Sequence, residues 1–73
     1  MKSFPIEAKK IKITFNCDLC GVDVTTEADV PSNETLLEVV CPVCYKNFSV
    51  KILPTGIEVE DLDDSDIDIE VLV

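Results

Sequence analysis

The chain has 73 residues, 47% of them hydrophobic, with 15 acidic residues against six basic ones, no histidine, and a net charge of −9. A chain this short forms one domain and buries only about 60% of its unfolded surface, so a staple beyond the apolar core is expected. All six basic residues are lysines, which removes the side chain best suited to bidentate phosphate and base-edge contacts, and the net field repels phosphate; direct nucleic-acid binding is not expected.

The charge is unevenly placed. Residues 1–56 carry six lysines and seven acids, a balance of −1, whereas residues 57–73 carry eight acids and no base. Residues 1–9 read as an N-terminal arm without the apolar core of a signal peptide, and no apolar run reaches membrane-span length. A cytoplasmic chain with reduced cysteines is the expectation.

Beyond the arm, alternation with a period of two dominates the chain. Ile11, Ile13 and Phe15 alternate with Lys10, Lys12 and Thr14, predicting a strand that runs into Cys17-Asp18-Leu19-Cys20. Val22, Val24, Thr26, Ala28 and Val30 alternate with Asp23, Thr25, Glu27 and Asp29, predicting a second strand. Pro31-Ser32-Asn33 reads as a turn, and Leu36 to Val40 as a strand returning to Cys41-Pro42-Val43-Cys44. Phe48, Val50 and Ile52 predict the next strand. The turn Leu53-Pro54-Thr55-Gly56 leads to a short one at Ile57-Glu58-Val59-Glu60.

Asp61 to Ser65 reads as a loop. Ile67, Ile69, Val71 and Val73 then alternate with Asp66, Asp68, Glu70 and Leu72. β-Branched residues at every second position disfavour a helix. An edge strand and a disordered acidic tail remain, and the alternation favours the strand.

The two Cys-x-x-Cys pairs, twenty residues apart, are the strongest chemical signal. This is a zinc spacing: each pair aims two thiolates at one centre, and four soft sulfurs in a tetrahedron suit one Zn²⁺. Cys17, Cys20, Cys41 and Cys44 are the expected ligands. Gly21 suits the left-handed backbone that such knuckles need, while in the second knuckle, where Tyr45 follows, Asn47 is expected to take that conformation. Pro42 stiffens the second pair. Phe15 and Phe48 are expected to cover the sulfurs as core, in preference to stacking on bases. Lys9, Lys10, Lys12, Lys46 and Lys51 are expected to meet the acidic tail or solvate outward positions, rather than form a basic face.

Four protein sulfurs close a zinc site, whereas catalytic zinc keeps an open position. With no histidine to activate a cysteine, the expectation is a non-enzyme. The pairs Cys17-Asp18-Leu19-Cys20-Gly21 and Cys41-Pro42-Val43-Cys44 also resemble those of rubredoxin, which holds iron for electron transfer. Iron or thiol redox chemistry is therefore a rival reading.

With its knuckles and alternating strands, the chain resembles a zinc ribbon over roughly residues 10–53. That resemblance implies a small, metal-stabilised all-β fold. Its implied layout is an arm at 1–9, a ribbon at 10–60 and an acidic C-terminal strand or tail at 61–73. Within the ribbons, Phe15-Asn16-Cys17-Asp18-Leu19-Cys20 and Cys41-Pro42-Val43-Cys44-Tyr45-Lys46-Asn47-Phe48 are similar to a small eukaryotic and archaeal transcription elongation factor. The chain carries neither that family's basic N-terminal tail nor its aromatic acidic segment, so only the four cysteines carry over. The function expected is a structural-zinc module acting as a small protein-interaction adaptor, a monomer or weak dimer. Association with the transcription machinery is the alternative. Ile67-Asp68-Ile69-Glu70-Val71-Leu72-Val73 is the candidate recognition strand.

Overall fold

Alternating apolar residues build two antiparallel sheets in this computed structural model, which describes residues 1–60 and 62–73. The strands are β1 (Lys2–Ser3), β2 (Lys10–Asn16), β3 (Asp23–Asp29), β4 (Thr35–Val40), β5 (Asn47–Leu53), β6 (Gly56–Val59) and β7 (Ile67–Val71). One turn of 3₁₀ helix, Asp64–Asp66, precedes β7. One sheet has the order β1-β6-β5-β4 and the other β3-β2-β7. No helix among the described residues is long and apolar enough to cross a membrane.

Each strand turns its alternate apolar residues inward, because a pleated backbone sends neighbouring side chains to opposite faces. Ile11, Ile13 and Phe15 of β2 are buried, as are Phe48, Val50 and Ile52 of β5, Ile57 and Val59 of β6, and Ile67 of β7. Phe15 from one sheet meets Phe48 from the other edge to face, with ring centroids 4.9 Å apart and planes at 66°. Such a pair adds about 0.5–1.5 kcal/mol beyond the area it buries. The two phenyl rings are thus core and not stacking platforms. Phe4 and Ala8 join the same core, so all three segments distinguished in the sequence contribute to it.

The hairpins around the cysteines repeat. A shift of 24 residues (41 minus 17) carries the pairing Asn16↔Asp23 of β2 and β3 onto Val40↔Asn47 of β4 and β5. Phe15↔Val24 likewise becomes Val39↔Phe48, so one bulky and one small residue face each other in each hairpin, in opposite order. The third strands break the repeat. β7 pairs with the strand entering the first knuckle, whereas β6 pairs with the strand leaving the second.

One contribution was not foreseen from the alternation. The N-terminal pair Lys2–Ser3 adds to β6, with Ser3 opposite Gly56. Gly56 is buried there, and a Cβ on it would lie 2.5 Å from the Lys2 carbonyl oxygen. The acidic C-terminal segment is an edge strand as far as Val71, with Phe15 opposite Ile67 and Ile11 opposite Val71. Lys12 faces Glu27 across one side and Glu70 across the other, so opposite charges stand in register on both sides of β2. The predicted loop at 61–65 is described only from Leu62 onward; its first residue lies outside the described residues.

Candidate metal centre

Each hairpin ends in a cysteine knuckle closed by the same two backbone bonds. The Cys17 N–H donates to the Val22 carbonyl at 2.9 Å and the Gly21 N–H to the Cys17 carbonyl at 2.8 Å. In the second knuckle the Cys41 N–H donates to Lys46 and the Tyr45 N–H to Cys41, both at 3.0 Å. The tight return puts the residue after each second cysteine in the left-handed region: Gly21 at φ 78° and Tyr45 at φ 61°. This corrects the expectation for Asn47, which lies in β5 opposite Val40. The repeat imposes the geometry on position 45 whatever residue occupies it, so a tyrosine adopts a conformation costly for its type.

The fold brings all four predicted cysteines together. Their Sγ atoms lie within 4.8 Å of one another. Two approaches cross between knuckles: Cys17 Sγ to Cys44 Sγ and Cys20 Sγ to Cys41 Sγ, both 3.5 Å. A disulfide is only about 2.0 Å long, so these are not bonded pairs. Tetrahedral zinc with bonds of about 2.3 Å would space its sulfurs about 3.8 Å apart. The cluster matches that spacing to within about an ångström, and an all-sulfur donor set suits a soft or borderline cation. Cys17 and Cys41 are buried, Cys44 is half-buried and Cys20 is exposed, so the centre sits at one end of the core with one flank toward solvent.

The backbone polarises the thiols unequally. The N–H groups of Cys44 and Val43 point at the Cys41 sulfur and pull its pKa down to about 6, against burial. For Cys17, burial opposes ionisation, but the N–H groups of Cys20 and Leu19 outweigh it and the pKa falls below the usual thiol value. Cys44 receives the Lys46 N–H, yet burial and the neighbouring thiols push it up to about 12. Cys20 receives the Val22 N–H and is likewise raised, by burial and by Cys41 and Cys17. Each knuckle thus has a first cysteine inclined to be a thiolate and a second inclined to keep its proton.

Polar contacts that the alternation does not disclose brace the site. The Asn16 side-chain amide donates to the Gly21 carbonyl at 2.9 Å and to Asp23 Oδ1 at 3.3 Å, tying both ends of the first knuckle. Lys46 Nζ donates to Asp18 Oδ1 at 2.7 Å, joining the second knuckle to the first, and stands 5.2 Å from the centroid of the Phe48 ring. The hydrogen bond to Lys46 holds the Asp18 carboxyl below the usual carboxylate range. Lys51 bonds Glu34 at 3.1 Å, away from the cysteines. Lys46 and Lys51 are thus each engaged by a local acid, and Lys12 stands between Glu27 and Glu70.

No family model matches the chain, and neither a curated protein nor a solved structure matches it. What four clustered sulfurs at the tips of two β-hairpins make is a structural metal-binding module.

Proposed function

We propose that this chain is a non-catalytic protein-interaction module of the zinc-ribbon kind, in which one Zn²⁺ held by Cys17, Cys20, Cys41 and Cys44 joins two hairpins into a rigid platform. One observation carries the reading: the two knuckles converge so that every sulfur lies within 4.8 Å of the others. Bound there, the ion supplies a cross-link and charge neutralisation. The cysteines fill a tetrahedral shell and leave no position for substrate or activated water, which argues against hydrolytic chemistry. The pairing of β7 with β2 makes the C-terminal segment part of the platform.

Metal analysis of the purified protein tests this. One zinc per chain is expected, and Co²⁺ substitution should give the thiolate charge-transfer and d–d bands of tetrahedral four-sulfur coordination. A red iron-loaded protein would move the reading to electron transfer. A metal-free, reduced chain with its native spectrum and melting curve intact would remove the metal from the folding argument altogether.

A further inference from the structure

The two sheets have four edges, and three are guarded. β1 is only two residues long. β3 exposes Asp23, Glu27 and Asp29 along its length, and β7 exposes Asp68 and Glu70. Charges of this kind, and very short strands, keep other chains from pairing with an edge. β4 differs. Among the described residues it pairs with no strand but β5, it carries one charge, Glu38, and it leaves Leu36 67% and Val40 48% exposed.

We infer that the open edge of β4 receives an extended segment of a partner protein that is apolar on both faces around one central basic residue. This rests on reading the chain as an interaction module and supplies the surface and the chemistry of the partner. Thr35, Leu37 and Val39 lie on the core side of β4, opposite Ile52, Val50 and Phe48. Leu37 and Val39 are only half-buried, so an added strand with apolar residues on that side completes the cover. Leu36, Glu38 and Val40 lie on the outer side, opposite Lys51, Ser49 and Asn47. That face holds a hollow of about 240 Å³ lined by Leu36, Ser49, Lys51, Glu58 and Glu60.

Charge selects the occupant. Glu38, Glu58 and Glu60 are the acids of this face, and its lysine, Lys51, is already bonded to Glu34. The incoming strand therefore gains from a cation opposite Glu38, with apolar residues opposite Leu36 and Val40. A second copy is poorly matched. Pairing two β4 strands with Leu36 opposite Val40 sets Glu38 against Glu38, between chains that each carry −9.

The test titrates two capped synthetic peptides, Lys-Val-Ile-Lys-Ile-Val-Lys and the same peptide with a central Glu, into the metal-loaded full chain under amide NMR observation. The lysine peptide is expected to shift and protect the β4 amides that do not bond β5, saturably and about tenfold more tightly than the glutamate peptide. Glu38→Lys should reverse that order, and Leu36→Ser should weaken binding of the lysine peptide several-fold, both at exposed positions that the core does not use. Absence of a saturable shift, or an unchanged peptide order in Glu38→Lys, overturns the inference. Shifts confined to Leu19, Val43 and Tyr45 overturn it too, while leaving the interaction-module reading in place. Concentration-dependent β4 shifts without peptide would show that a second copy takes the edge, and would overturn it as well.

Discussion

Lys46 Nζ lies 2.7 Å from Asp18 Oδ1, so a residue just past the second knuckle holds the residue next to the first metal-facing cysteine. The pair crosses between hairpins that otherwise meet through the sulfurs and the phenyl core. Because both side chains are partly exposed, its contribution is screened by salt. Lys46→Met should weaken zinc binding a few-fold in competition with a chromophoric chelator at low salt. Raising the salt to about 1 M should erase the difference between variant and parent. A loss that persists at high salt would assign the effect to packing on Phe48 instead.

Zinc binding at pH 7 to the chain already in this fold should release between about two and about three protons, whereas a metal-free chain that is unfolded, with ordinary thiols, should release about four. Cys41, with its pKa near 6, is largely a thiolate beforehand, and Cys17 is lowered in the same direction. Cys44, near 12, and Cys20, also raised, still hold their protons and must give them up to the ion. Binding therefore strengthens as pH rises, and it strengthens more steeply below about pH 6, where Cys41 too becomes protonated. Calorimetric titration in buffers of different ionisation enthalpy counts the protons directly.

The equivalent positions 21 and 45 should respond unequally to exchange. Gly21 sits at φ +78° with nothing within 4 Å of a built Cβ, so Gly21→Ala costs backbone strain alone, about 1 kcal/mol. Tyr45→Gly removes comparable strain but adds chain entropy to the unfolded state, so its net effect should stay within about 1 kcal/mol of zero. Denaturant titration of the metal-loaded variants measures both.

Gly56→Ala should act by collision instead. Its Cβ would meet the Lys2 carbonyl oxygen at 2.5 Å and Met1 Cε at 3.0 Å, so β1 must shift away from β6. A destabilisation of about 1–3 kcal/mol is expected. Amide exchange should quicken at Lys2–Ser3 and the facing residues of β6, with the metal spectrum unchanged.

The chemistry of this protein was written in local pattern. Cys-x-x-Cys twice, with room between for a strand out and a strand back, is enough to name the four sulfurs, because a knuckle depends on the few residues that form it. Alternation likewise marked β2 to β5, since which face of a strand is apolar is a property of the strand itself. For the acidic C-terminal segment the alternation favoured a strand, but where that strand goes depends on whether β2 has an unoccupied side, and only the assembled sheet shows that it does. Tyr45 was missed for a related reason, as its left-handed backbone comes from the hairpin repeat and not from its own preference. The pairing of β1 with β6 and the Lys46–Asp18 contact join residues far apart in the chain. Sequence alone determined what could bind the metal and which residues face inward; tertiary structure decided which edges are closed, because closure depends on what the rest of the chain brings alongside.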